Sequence, residues 1–303
     1  MKTLLVTNAN AGRRGRSPRA GCVAQRLRQL GIPVREVQAG GPGEAAGVVD
    51  RLLRDESPEE TRVLAVGGDG TVNALLPALM GTPFPVGILP AGTLNALAGE
   101  LGIPRALGEA IAIAVGGRRR RIDLGLANGR PFAQMAGVGF DGAVVRWVVP
   151  PANKNMLSIP AVARGLRLLA TYAPTKIRLT SESARLEANA WLVLVANAGH
   201  YTHRLRIVPN AAIDDGRLDV WMLTARSRGL VLDQAARLLR RGSWGCPSLY
   251  HLRVQRLRIE SDPPAFFHVD GDPGGRTPVD ISIVPAALTV MAPAGRQAPG
   301  NCS

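Results

Sequence analysis

The chain has 303 residues, 46% of them hydrophobic and 20% charged, with a formal net charge of +14 at pH 7. This composition excludes disorder, collagen and coiled coil, and the length exceeds what one core usually fills, so two domains are expected. Arginine supplies almost all the basicity, since Lys2, Lys154 and Lys176 are the only lysines, and aromatics at 4% are too few for a base-stacking platform; nucleic acid is therefore set aside as a partner, while anionic substrates or an anionic membrane surface stay open.

Strands are predicted at residues 3–7, 34–37, 62–66 and 86–89 with amphipathic segments between them, an order that implies a parallel sheet. Ser17-Pro18 reads as an N-cap and first turn, Val23, Leu27 and Leu30 mark one helix face, and Gly31 with Pro33 ends it. Further helices are predicted over 44–54, 72–80 and 106–115. Arg118 to Arg121 then interrupt the pattern and mark the approach to a domain boundary. The longest uncharged stretch, 70–99, has the length of a membrane span but is broken by Pro77, Pro83, Pro85 and Pro90. Residues 1–12 lack a signal-peptide pattern, so a cytoplasmic location is expected.

After Leu124 strand-like pieces dominate, at 176–179, 190–196, 218–223, 252–259 and 279–284, with helical periodicity at 158–172 and 230–241. Leu252 and Val254 alternate with polar residues while Leu257 and Ile259 are out of phase, which predicts a bulge near Gln255 or Arg256. Residues 294–303 read as a frayed tail. Cys22, Cys246 and Cys302 form no metal or disulfide framework.

The strongest local signal is Gly67-Gly68-Asp69-Gly70-Thr71, directly after an apolar strand and before a helical segment. Glycines permit close backbone approach to a ligand, and N–H groups at a helix start attract phosphate. Asp69 would repel a bare phosphate, so it is expected to face a metal ion or a proton-bearing group; a plain strand-to-helix turn is the bland alternative. Leu89 to Asn95 forms a second glycine turn, and Asn8 to Gly12, with Arg13, Arg14 and Arg16, a third on the same sheet edge. No lysine stands in a Walker A context. Gly137 to Gly142 matches a dinucleotide fingerprint, but no acid occurs between Asp141 and Glu182, so that match is read as a decoy. Asp214, Asp215 and Asp219 form one acidic cluster and Asp270 with Asp272 another; metal binding or catalysis competes there with simple Asp-Gly turns. His200 and His203 are read as surface loop residues.

In their order and spacing these segments, together with Ile122-Asp123-Leu124-Gly125, residues 136–141, 209–220 and 269–272, resemble the diacylglycerol kinase catalytic family, specifically bacterial soluble lipid kinases related to sphingosine kinases. The resemblance implies a nucleotide-binding α/β domain with a parallel sheet over 1–124, a β-sandwich lipid-substrate domain over 125–293, a disordered tail over 294–303, and an active cleft between the domains. It implies that Asn10, Gly67, Gly68, Asp69, Gly70, Thr71, Asn73 and Thr93 border ATP. Asp69, Asp123 and Asp272 would organise magnesium and the acceptor hydroxyl, and Asp215 with the carbonyls of Ala212 and Arg217 would hold a structural Mg2+. Three positions depart from the family pattern: Ala9 replaces a proline, Ala96 an acid, and Asp272 a glutamate. Residues 200–206 also lack the glycines often found there, which bears on substrate identity. The partner so implied is a lipid at a membrane surface, reached peripherally, with Arg118 to Arg121 as one candidate contact. A soluble-metabolite kinase resembling NAD kinases and an inactive lipid- or nucleotide-binding regulator are the rival readings. The lipid species, the choice between Asp272 and Asp69 as general base, and the oligomeric state, a homodimer included, stay open.

Overall fold

The computed structural model describes residues 1–8, 18–39, 42–148, 159–224, 227–241 and 249–294. Asn10, the Ser17 cap, Arg13, Arg14, Arg16, Cys246, Cys302 and the tail beyond 294 lie outside them.

One compact unit comprises Met1–Leu124, Thr202–Arg204 and the chain from Pro285. Its elements are β1 (Lys2–Asn8), α1 (Pro18–Gln29), β2 (Val34–Ala39), α2 (Pro42–Leu53), β3 (Thr61–Gly67), α3 (Asp69–Asn73), α4 (Leu76–Leu79), β4 (Val86–Pro90), α5 (Ala96–Glu100) and α6 (Leu107–Gly116). The strands pair in parallel in the order β2-β1-β3-β4. Every residue of β3 and β4 is buried, as in a sheet covered on both faces. On α1 the buried face is Ala20, Val23, Ala24 and Leu27, whereas Leu30 is 54% exposed because the helix has already ended. The helix expected over 72–80 is two short ones. Pro77, which has no N–H to give to the preceding turn, stands in the first turn of α4, so the chain restarts there.

Arg118 to Arg121 do not interrupt regular structure; they begin β5 (Arg118–Ala127). The second unit comprises Gly125–Tyr201 and Leu205–Val284. It continues with β6 (Arg130–Phe132), β7 (Met135–Gly139), α7 (Phe140–Trp147), α8 (Ile159–Thr171), β8 (Thr175–Ser181), β9 (Arg185–Ala190), β10 (Leu192–Ala196) and β11 (Leu218–Leu223). Then follow α9 (Arg228–Arg241), β12 (Leu249–Val254), β13 (Arg256–Asp262), β14 (Phe266–Val269), β15 (Asp272–Arg276) and β16 (Val279–Ala292).

Two antiparallel sheets form a sandwich: β16-β13-β8-β9 on one side and β12-β11-β10-β7-β14-β15 on the other. Their shared core includes Phe132, Val138, Ile177, Leu179, Val193, Val195, Leu257, Ile259 and Phe267. Alternation sorts the faces: Val193 and Val195 enter the sandwich, while Leu192 and Leu194 pack on the opposite side of the same sheet. The phase change at Gln255 is not a bulge in one strand. There the chain leaves β12, paired with β11, and enters β13, paired with β8 and β16 in the other sheet. The fold is thus an α/β domain with a parallel sheet followed by an antiparallel β-sandwich. Among the described residues no helix is long and apolar enough to cross a membrane.

Candidate active site

In the first unit, β3 and β4 end side by side and release the two predicted glycine turns at their carboxyl ends. The turns touch. A Cβ on Gly68 would stand 3.1 Å from Cα of Gly92, and one on Gly92 would collide with the Gly68 backbone, so only glycine permits this approach. Ala91 N–H donates to Gly67 O at 2.8 Å and Thr71 N–H to Gly68 O at 2.9 Å. Buried Asn95, held at φ +48°, accepts from Gly92 N–H at 2.9 Å and donates to Gly92 O at 2.7 Å, which locks the second turn. Asp69 opens α3, and its Oδ1 accepts from Leu97 N–H at 3.2 Å, joining the first turn to α5. Arg105 donates through Nη2 to Thr93 O at 2.5 Å and Gly92 O at 3.3 Å. With Val66, Leu89, Pro90, Ala91 and Leu107 it lines a cavity of about 160 Å3 at this sheet edge. Asp123, only 3% exposed on β5, accepts from Ala286 N–H at 2.7 Å, where Ala286 takes φ +50°.

In the second unit the acidic turn joins β14 to β15. Asp272 Oδ2 pairs with Arg130 Nη2 at 3.1 Å, and Arg130 Nη1 also donates to Pro273 O at 3.1 Å. Asp270, at φ +48°, points elsewhere: Oδ2 accepts from Ala133 N–H at 2.8 Å, and Oδ1 from Gln134 N–H at 3.0 Å and Met135 N–H at 2.8 Å. Buried His268 bonds through Nε2 to Asp141 Oδ2 at 2.8 Å, while its Nδ1 accepts from Gly271 N–H at 3.2 Å. That acceptor role leaves the ring proton of the neutral imidazole on Nε2, facing Asp141. A Cβ on Gly137 would overlap both Asp141 Oδ2 and His268 Nε2, so the glycine makes room for the pair. Burial first, and the charge of Asp141 second, push the Tyr201 hydroxyl pKa well above its ordinary value.

The structure therefore brings Gly67, Gly68, Asp69, Gly70, Thr71, Asn73 and Thr93 onto one strand edge of the first unit, and places Asp272 on a turn of the second. Sequence reasoning missed the cradle made by Asp270, the His268–Asp141 pair, and Arg105 and Arg130. Apart from the Asp-Gly dipeptide, each depends on a partner remote in sequence. His203 is tied to the first unit by its N–H to Leu94 O at 2.8 Å and its Nε2 to Ile103 O at 2.9 Å. Among the described residues no three His, Cys, Asp or Glu side chains are grouped to hold a metal ion. Magnesium in phosphoryl transfer needs no such cage, because one or two carboxylates and substrate phosphates suffice, and Asp69 on the touching glycine turns fits that role. At the Asp215 turn, the expected structural cation site, protein donors reach the carboxylate. Its Oδ1 accepts from Arg217 N–H at 2.9 Å and its Oδ2 from Arg253, whose guanidinium also lies 3.7 Å from buried Asp219.

Residues 2–127 match the diacylglycerol kinase catalytic domain, and residues 135–292 match the YegS C-terminal NAD kinase beta sandwich-like domain. The chain is 31% identical to a Mycobacterium tuberculosis protein named diacylglycerol kinase, over 96% of this chain and 95% of that one. It is 29% identical to a Chromohalobacter salexigens protein named probable lipid kinase YegS-like, over 97% and 94%. A protein of Synechocystis sp. is 27% identical over 87% of this chain, which spans 63% of that longer relative. A crystal structure of a Bacillus anthracis diacylglycerol kinase shares the fold, with a TM-score of 0.72, 19% identity and 97% coverage of each chain. These relationships point to a kinase domain arrangement, phosphotransferase activity and use of a nucleotide. The chain belongs to the diacylglycerol kinase catalytic, YegS-like family of bacterial lipid kinases.

Proposed function

We propose that the protein transfers the γ-phosphoryl group of MgATP to the hydroxyl of a lipid presented at a membrane surface. The observation that carries this reading is the contact between the Gly68 and Gly92 turns, with Asp69 between a strand end and α5, in a chain that matches the diacylglycerol kinase catalytic domain. Backbone that close can admit polyphosphate to bare N–H groups, and phosphoryl transfer asks chiefly for positioning and charge neutralisation. Magnesium, when bound, neutralises phosphate charge; the residues offered to nucleotide and metal are Gly67, Gly68, Asp69, Gly70, Thr71, Asn73 and Thr93, with Asn10 and Asp123 in the same proposed set.

Asp272 is proposed to take the proton of the acceptor hydroxyl. Arg130 holds its carboxylate oriented at 3.1 Å, which suits a base before the acceptor arrives. Aspartate is one methylene shorter than the family's glutamate, so the acceptor must come closer or a water must relay the proton. Radiolabelled ATP offered to a lipid panel and to NAD tests the proposal. Label in lipid supports it, and label on NADP alone overturns it in favour of the rival soluble-metabolite reading, which the NAD kinase-like character of the sandwich domain keeps in view.

A further inference from the structure

We infer that His268, oriented by Asp141, is the positioning residue of the hairpin that carries Asp272. The inference deepens the lipid-kinase reading and rests on its assignment of Asp272 as the base. Phe267 and Val269 of β14 enter the sandwich core, so alternation turns His268 to the opposite side of the six-stranded sheet. There the first turn of α7 presents Asp141. The helix lies directly on the strand, since a Cβ on Gly142 would overlap Phe266 O.

Only 2% of His268 is exposed, and a polar ring so buried is unfavourable unless its nitrogens find partners. Both do, in two directions. Nε2 meets Asp141 Oδ2 at 2.8 Å, and Nδ1 accepts from Gly271 N–H at 3.2 Å. The carboxylate holds the proton on Nε2 and leaves Nδ1 bare, so Asp141 sets the tautomer that lets the ring accept from the hairpin. An apolar residue at 268 would be buried without any such requirement, but it would hold nothing.

The hairpin needs such a hold. Asp270 and Gly271 form its two-residue loop, at φ +48° and +77°, with Val269 opposite Asp272, the pattern of a type I′ turn. Asp270 is fixed by its carboxylate cradle and by its N–H to Met135 O at 2.8 Å. Gly271, the residue with the widest conformational choice, is fixed by His268. His268 also stands in register opposite Pro273, so it governs the residues on both sides of Asp272. Arg130 orients the carboxylate, and His268 orients the backbone from which that carboxylate extends. A misplacement of about 1 Å at a reacting group can cost about 100-fold in rate.

Steady-state kinetics of the full chain with radiolabelled ATP and a lipid acceptor, beside hydrogen exchange at the Gly271 amide, tests the inference. His268→Leu should lower kcat about 10- to 100-fold with the KM for ATP within about twofold of wild type, and should speed Gly271 exchange about tenfold. His268→Asn places an amide oxygen near the Nδ1 position and should restore most of the turnover and protection. His268→Gln, which can reach Asp141 but not Gly271, should behave like leucine. In an Asp272→Asn background His268→Leu should remove less than about twofold more, because the group it positions is gone; a merely structural histidine would cost the same factor in both backgrounds. That equal loss, a leucine variant with normal kcat and exchange, or an asparagine variant no better than glutamine would each overturn the inference. If His268→Leu melts early, the asparagine and glutamine pair carries the test. If the wild type labels no lipid, or Asp272→Asn turns over normally, the lipid-kinase reading or its choice of base falls, and Gly271 exchange still decides whether His268 holds the hairpin.

Discussion

Asp270→Ala should be among the most damaging single changes in the β-sandwich domain. The carboxylate accepts three backbone N–H groups from consecutive residues, Ala133, Gln134 and Met135, at 2.8, 3.0 and 2.8 Å, and so pins the link from β6 to β7. Hydrogen bonds to a charged group contribute about 1.5–3 kcal/mol each, but three on one carboxylate do not add in full, and these are only part-buried, so the expected loss is about 3–5 kcal/mol. Against a total stability of about 5–15 kcal/mol that is severe, and it corresponds to a fall in melting temperature on the order of 10 °C. Two further variants separate the causes. Asp270→Gly suits φ +48° without strain but loses every side-chain bond, so it should resemble alanine. Asp270→Asn tolerates the same backbone, keeps one oxygen for Gln134 and Met135, and turns an amide toward the Ala133 N–H; about 1–2 kcal/mol should be lost. Urea denaturation with a constant m-value is the assay. An alanine variant within about 1 kcal/mol of the wild type, or an asparagine variant as unstable as alanine, would refute the cradle.

Asp272→Asn should leave ATP affinity nearly intact while lowering turnover on the order of 100-fold, whereas Asp69→Asn should weaken magnesium-dependent ATP binding as well; the opposite pattern in calorimetry and kinetics would exchange their roles. Gly92→Ala should force the two glycine turns apart, since its Cβ meets the Gly68 backbone, and ATP binding by calorimetry should fall while the sandwich domain keeps its stability. Chelation of divalent ions should leave the melting temperature unchanged, because Arg253 already pairs with Asp215, and Arg253→Met should lower stability by only about 1 kcal/mol, since that pair is half exposed and buried Asp219 keeps His251 Nε2 at 2.7 Å. Burial raises the pKa of Tyr172 and of Tyr201 above the ordinary 10.0. Above pH 10 the unfolded chain therefore releases phenolic protons that the folded chain retains, so stability should be level below pH 10 and decline above it. Tyr201→Phe should flatten part of that decline in denaturation curves at pH 9 and pH 11.

Strand β3 and the turn after it were legible because a fully apolar run ending in glycines has few other uses. The break at Gln255 was legible as a change of phase but not in meaning, since period-two alternation tells which side of a sheet a residue faces and never which sheet it joins. Strand β15 was not legible at all. Its sequence Asp-Pro-Gly-Gly-Arg buries almost nothing, and it is a strand because β14 pairs with it and because Gly274 leaves room for the Phe267 ring. Gly137 shows the same limit from the other side. It completes a spurious dinucleotide fingerprint, yet the register of β7 against β14 sets it opposite His268, where its missing side chain admits the Asp141–His268 pair.

Asp270 and Asp272 make the strongest case, since they flank one glycine and look interchangeable on the page. Backbone geometry divides them: the left-handed conformation at Asp270 accompanies a carboxylate turned into the β6–β7 link, whereas Asp272, already in β15, pairs with the side chain of Arg130. A base must be reachable by its acceptor, and a carboxylate that three amides already occupy is poorly placed to become one. Of these two acids, the one bound to main chain sustains the turn, and the one held by an arginine side chain is the one proposed as the base.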